Sequence, residues 1–353
     1  MILTPLGLLF FAVLIFSYVL EPTNGVLTRI GGYSENDFGW TQPQERFQSK
    51  LYETKRYGIY DKYYDAVVVG DSFSQHLPDE AMHPAAYWPN FFVHATGLDL
   101  ISFNSNFTEI VKFIESDSYK KFPPRLLIFE VVERDFINVI SWITGDCIPR
   151  KDIEIKPITI KPTNDKLLKF ERNSKTGLSN FELDIGLNYL KQNFLGRINN
   201  LLSSSKVVLL NLDHEGLFSN ALSKKTLFWG GDFKKFSFNE KEIQRAVCGL
   251  INLQNKVQSN NKTFFIAMIA PDKLSVYSNY ILSLNKKENS IIDRIDKKPL
   301  HLPRIDVALK DEIKKGLVDA YLPNDTHWSS RGHKIAAQEL VRYLKEHGIF
   351  IND

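Results

Sequence analysis

Two short strings in the chain carry the residue types of nucleophilic catalysis. The first is Gly70-Asp71-Ser72, which ends the β-branched run Asp65-Ala66-Val67-Val68-Val69. A serine hydroxyl is a poor nucleophile at neutral pH and needs an adjacent base, and the end of a buried strand is a rigid place from which to present it. Gly70 permits a tight turn, and the amides at and after Ser72 are placed to stabilise an oxyanion. Alone, the string is also an ordinary turn sequence in which Asp71 fixes the turn. The second string is Tyr321-Leu322-Pro323-Asn324-Asp325-Thr326-His327-Trp328. With Asp325 and His327 two residues apart, one loop can hold the imidazole by one nitrogen and leave the other to act as a base. Asp-x-His is also a metal pair in other settings. Here His76, His83 and His94 have no Cys or Glu at ligand spacing, so no metal is expected.

The strings meet only if the elements between them form one sheet. After the first strand, Leu98 to Phe103 and Leu126 to Val132 read as buried strands, with a helical pattern through Ile110, Val111, Phe113 and Ile114 between them. Thr263 to Ala270 is a strong strand and Gly316 to Tyr321 a weaker one. Ser329 then N-caps a final amphipathic helix with Ile335, Leu340, Val341 and Leu344 on its apolar stripe. Strands alternating with helices predict an α/β three-layer sandwich with a mainly parallel sheet. In such a sheet, a serine after the first strand and an Asp-x-His before the last helix share one edge. From about residue 137 to 262 the alternation gives way to a polar, Lys- and Asn-rich stretch, read as an insertion or cap that ends in a helix around Glu240 to Val257.

Ile2 to Leu20 carries no charge and is long enough to cross a bilayer as a helix. The run ends Phe16-Ser17-Tyr18-Val19-Leu20-Glu21-Pro22 without a small-x-small cleavage site, so an uncleaved membrane anchor is expected. The organisation is then an anchor over 1–22, an α/β domain over 23–136 and 263–353, and an insertion over 137–262. The 353 residues are 43% hydrophobic and 24% charged, a globular composition. A formal charge of +3, from 44 Lys and Arg against 41 Asp and Glu, lacks the basic excess of a nucleic-acid binder. Cys147 and Cys248 are too few for a disulfide framework and leave a single bridge open.

With the late Asp325-Thr326-His327-Trp328 and its following Gly332-His333, the Gly-Asp-Ser chain resembles the SGNH hydrolase superfamily. Within it, the chain is similar to the AlgX/AlgJ-like polysaccharide O-acetyltransferases. The narrower resemblance rests also on Ala270-Pro271-Asp272-Lys273 through Tyr277, on Glu130 and Glu133-Arg134, and on Leu27-Thr28-Arg29-Ile30-Gly31-Gly32-Tyr33. It covers about residues 26 to 135 and 262 to 346. It implies an SGNH-like, flavodoxin-like fold in which Ser72 is acetylated, His327 is the base and Asp325 orients it. It also implies a polysaccharide acceptor, a multispan membrane acyltransferase as acyl donor, no cofactor, and a catalytic domain facing the periplasm or cell exterior.

The superfamily's oxyanion Gly and Asn have no evident counterpart, and the corresponding stretches read Phe103-Asn104-Ser105-Asn106-Phe107 and Glu130-Val131-Val132-Glu133-Arg134. The Ser72 amide and the side chains of Asn104 or Asn106 are then the candidate oxyanion donors. Arg134 is read as a substrate contact or as the partner of Glu130 or Glu133, and Lys273 as a substrate contact or a solvated charge. Trp328 is the foremost of several aromatics, with Tyr87-Trp88, Trp142 and Phe228-Trp229, that offer a face to a sugar ring. Two rival readings stand beside the transferase. One is an acetylesterase with the same triad, and the other is an inactive carbohydrate-binding or scaffold protein of an exopolysaccharide machine.

Overall fold

The computed structural model of the protein describes residues 7–8, 11, 25–76, 82–104, 107–150, 153, 155–172, 206–284, 290–295 and 300–353. The expected anchor lies almost wholly outside the described residues. Among those residues no helix is long and apolar enough to cross a membrane.

Two short helices, α1 (Val26–Gly31) and α2 (Glu35–Phe38), precede strands β1 (Gln44–Phe47), β2 (Glu53–Lys55) and β3 (Ala66–Gly70). Next come α3 (Trp88–Thr96), β4 (Leu100–Asn104), α4 (Ile110–Glu115), α5 (Asp117–Lys121), β5 (Leu126–Val132) and α6 (Phe136–Ile140). The middle of the chain contributes β6 (Ile158–Ile160), β7 (Leu167–Phe170) and a hairpin of β8 (Val207–Asn211) and β9 (Lys225–Trp229). Helix α7 (Glu240–Gln258), β10 (Phe264–Ala270), α8 (Lys273–Tyr277), α9 (Ile291–Ile295), α10 (Ile305–Lys314), α11 (Ser330–Glu346) and β11 (Phe350–Asn352) complete it.

Five strands form one parallel sheet in the order β10-β5-β3-β4-β2. Four of them, β10-β5-β3-β4, follow the order of a flavodoxin-like sheet, and the fold is α/β. Strands β3, β5 and β10 are buried along their whole length because helices cover both faces, as their continuous Val, Ile and Phe content requires. Residues alternate between the faces. Ala66, Val68, Leu126, Ile128, Val132, Ile266 and Met268 join one apolar cluster with α3, α10 and α11. Val67, Val69, Leu127, Phe129, Val131, Phe265 and Ile269 join the other with α4 to α7 and α9.

Two strand expectations change. Gly316 to Tyr321 is not a strand: Gly316 and Asp319 have φ of 97° and 56°, which extended backbone excludes, and Tyr321 makes only an isolated bridge to Trp328. The added sheet member is β2, a polar Glu-Thr-Lys edge with none of the apolar content by which a buried strand is read. Helix α7, at the end of the expected insertion, packs its apolar stripe on the sheet and starts with an Asn239–Glu242 capping box. Cys147 and Cys248 form a disulfide that ties the segment after α6 to α7.

Candidate active site

The chain leaves β3 for β4 on one side and returns across it to β5, so the C-terminal ends of β3 and β5 flank the topological switch point where open α/β sheets bind ligands. Ser72 sits there, half-buried. The turn is held from several sides. Ser74 N donates to Asp71 O at 3.0 Å, Phe73 N to Asp71 Oδ1 at 2.9 Å and Val132 N to Asp71 Oδ2 at 2.7 Å. A Cβ at Gly70 would lie 2.4 Å from Ser74 Oγ and 2.7 Å from Glu130 Oε2, so only glycine admits this packing. The expected role of Asp71 in fixing the turn is met by these bonds.

The second string forms the loop entering α11. Its ends are pinned by the Tyr321–Trp328 bridge, by Ser329 N donating to Ala320 O at 3.1 Å, and by the Ser329 hydroxyl capping the amides of Arg331 and Gly332. This places His327 Nε2 2.7 Å from Ser72 Oγ and His327 Nδ1 2.8 Å from Asp325 Oδ1. The three side chains form one hydrogen-bonded line, with Asp325 and His327 buried. Asp325 Oδ1 also accepts from the amides of Thr326 and His327, and Oδ2 accepts from Val26 N at 3.1 Å. Burial alone would raise the Asp325 carboxyl. The charge of His327 and these hydrogen bonds outweigh it and hold the group below its ordinary range, so the acid is ionised beside the imidazole.

Lys273 supports this loop from beneath. It is fully buried, not a solvated charge and not open to substrate. Its Nζ donates to the carbonyls of Leu322 and Pro323 at 2.9 Å each and lies 3.3 Å from that of Asp325. Burial pushes its amine down to about 7, against the pull of Asp325, Asp319 and Asp232.

Arg134 pairs with neither Glu130 nor Glu133. Its Nη1 reaches Asp272 at 2.9 Å and Asp232 at 3.4 Å, carboxylates brought in by the segment after β9 and by the exit of β10. Lys235 closes the same buried cluster against Asp272 and Glu133, while Glu133 accepts from Ser290 Oγ and the amides of Asp272 and Ile291. Trp328 is wholly buried, edge-on to Phe73 at 4.8 Å between ring centres, so its face is not open to a sugar. Tyr87, Trp88 and Phe228 are buried as well, whereas Trp142 is exposed and Trp229 half-exposed. Asn104 ends β4, its side chain lying outside the described residues together with Asn106. Among the described residues nothing accepts from the Ser72 amide.

A cavity of about 410 Å³ adjoins the loop, lined by Val26, Ile30, Arg134, Trp229, Lys234 and Thr326 among others. Thr326, between Asp325 and His327, is buried, and among the described residues its hydroxyl has no hydrogen-bond partner. Arg134 gives Nη1 to Asp232 and Asp272 and brings Nε within 3.9 Å of Asp135 Oδ2, and its side chain keeps 13% exposure. The wall joins the Arg134 guanidinium, the Lys234 ammonium, the Asp135 carboxylate and the Trp229 indole, hydrogen-bonding and stacking groups that suit a polyhydroxylated ligand. Sequence reading missed the Val26 amide as a partner of Asp325, because a backbone amide leaves no mark in the residue type. Among the described residues no group of three or more His, Cys, Asp or Glu is placed to hold a metal. No protein-family model matches the chain, and no curated protein matches it significantly.

Proposed function

We propose that the protein is an SGNH-like O-acetyltransferase that acylates a cell-surface or exported polysaccharide through an acyl-serine at Ser72. The observation that carries this reading is the continuous line from Ser72 Oγ through His327 to Asp325, at 2.7 and 2.8 Å, at a sheet switch point. Ser72 Oγ attacks the acyl carbonyl while its proton passes to His327 Nε2. The tetrahedral oxyanion meets the Ser72 amide, and the leaving group departs with the proton from His327. A sugar hydroxyl then gives its proton to His327 Nε2 and attacks the acyl carbon, and Ser72 Oγ leaves and is reprotonated. Asp325 stays ionised and stabilises the imidazolium.

The cavity beside Thr326 supports a carbohydrate ligand, whether the acceptor of a transferase or the acetylated substrate of an esterase. The Cys147–Cys248 bridge supports an oxidising location outside the cytoplasm, where acetyl-CoA is not expected. In this reading a multispan membrane acyltransferase hands on the acyl group, and an N-terminal anchor over residues 1–22 keeps the domain close to it.

The test is intact mass of the full-length protein after incubation with p-nitrophenyl acetate. An acetyl adduct is expected on the wild type and on neither Ser72→Ala nor His327→Ala. Oligosaccharide should then discharge it faster than water does. Discharge to water alone identifies an esterase, and polysaccharide binding without any Ser72-dependent adduct identifies a binding protein. Trp229→Ala is expected to raise the oligosaccharide concentration for half-maximal transfer about tenfold, the worth of one stacked ring.

A further inference from the structure

Strand β5 breaks its own pattern at Glu130. Leu126, Ile128 and Val132 face the apolar cluster under α3 and α11, and Glu130 occupies the position between Ile128 and Val132 on that face, 0% exposed. Among the described residues no ion pair includes it. Its Oε2 accepts from Asp71 N at 3.0 Å and Ser74 Oγ at 2.7 Å, so it grips the residues on both sides of Ser72. Ser74 Oγ is fixed in turn by Trp88 Nε1 at 3.1 Å. Among the described residues no N–H or O–H reaches Glu130 Oε1, and the acid beside it is Asp71, whose own amide donates to Oε2. Two neighbouring buried carboxyls cannot both ionise cheaply, so one of them keeps a proton. Burial raises both carboxyls, but two backbone amides and the charges of Arg134 and His327 pull Asp71 back towards the anion, while Glu130, raised further, has no such cation. The proton therefore stays on Glu130.

We infer that Glu130 is a positioning residue which, as an uncharged acid, clamps the turn that aims Ser72 at His327, and that ionisation of Glu130 loosens this turn. The inference deepens the triad reading and rests on Ser72 being the nucleophile. Burial, with Asp71 second, pushes Glu130 well above the ordinary carboxylate range. The titratable and charged groups around the pair are Asp71 on the turn, Arg134 beyond β5, His327 on the loop and His333 on α11, whose Nδ1 accepts from Trp88 N. From β10 the residue opposite Glu130 is Met268, which does not titrate.

The test compares full-length wild type with Glu130→Gln, in which an amide keeps one acceptor and one donor in the place of the acid and cannot ionise. Two readouts are taken between about pH 5 and 10. The first is Ser72 acetylation by p-nitrophenyl acetate. The wild type should lose rate on the alkaline side, and Glu130→Gln should keep the acid-side rise within about threefold and lose the alkaline fall. The second is the midpoint of thermal unfolding. A group whose folded pKa is raised gives its full stabilisation below the ordinary carboxylate range and loses it as pH rises through the folded value. The wild type should thus lose stability relative to Glu130→Gln with rising pH. Should Glu130→Gln not fold, Asp71→Asn removes the neighbouring charge and should move the wild-type alkaline loss to lower pH. Parallel pH profiles in both readouts, or no shift in Asp71→Asn, overturn the inference. If no protein is acetylated at any pH, the triad reading fails and unfolding alone decides the state of Glu130.

Discussion

Asp325→Asn is expected to lower Ser72-dependent acetyl transfer by about 10³- to 10⁴-fold while the protein stays folded, as loss of the orienting acid does in other triads. The carboxylate is an acceptor on both oxygens. Oδ1 takes three N–H groups, from Thr326, His327 and the imidazole, and Oδ2 takes the amide of Val26. An amide has one acceptor and one donor. If its oxygen faces His327, its NH₂ meets the Val26 N–H, and α1 is pushed from the loop. If it turns over, its NH₂ faces His327 Nδ1 and selects the tautomer with the proton on Nε2, which cannot take the proton of Ser72. The acetylation rate at saturating p-nitrophenyl acetate measures the loss. An undiminished rate would remove Asp325 from the mechanism. The same substitution has a signature in acid. A carboxyl held below its ordinary value stabilises the fold above that value and loses the contribution as pH falls through its folded value. The wild type should therefore lose stability in strong acid where Asp325→Asn changes less.

What could be read ahead of the structure divides along the range of the interactions. Strands β3, β5 and β10 announce themselves because a strand buried on both faces must be apolar throughout. The two halves of the Ser-His-Asp line are legible because each is set locally, the turn after β3 by Gly70 and Asp71 and the Asp325–His327 pair by one loop, while their meeting across 255 residues follows from the parallel sheet. Arg134 was harder. Its partners Asp232 and Asp272 lie far along the chain, and the nearby Glu133 is taken by Ser290, Ile291 and Lys235. The cavity wall draws on four separate segments and leaves no local pattern. Trp328 shows the opposite failure, since its place beside the base suggests a sugar platform, yet the same loop folds the ring under Phe73. Glu130 entered the sequence reading only through the resemblance and as a possible partner of Arg134, and its contacts with Asp71 and Ser74 come instead from the packing of β5 under the turn.

Replacing Cys147 and Cys248 together by serine is expected to lower the stability of the chain by about 4–5 kcal/mol, the loop-closure value for a bridge spanning about 100 residues. The bridged cysteines are 101 residues apart. That loop contains the whole middle stretch from β6 through β9, so releasing the bridge gives the unfolded chain its largest gain in freedom. The folded state offers partial compensation. Arg150 N donates to Asn255 Oδ1 at 3.0 Å, Asn255 Nδ2 donates to Ile148 O at 2.8 Å, and Cys147 N reaches Asn252. Cys147 itself has φ of 59°, a left-handed conformation that a residue with a side chain adopts only when its surroundings hold it there. Loss of the bridge should therefore first loosen residues 145–150 from α7, then the face of the sheet that α7 covers. Thermal unfolding of wild type with and without reductant, beside the double serine variant, checks this. Reduced wild type should match the variant and oxidised wild type should exceed both, while all three acetylate Ser72 alike well below their midpoints, because the bridge touches no member of the triad. Equal midpoints would mean that α7 is held by its apolar stripe alone, and the bridge would then lose its weight as a sign of an oxidising compartment.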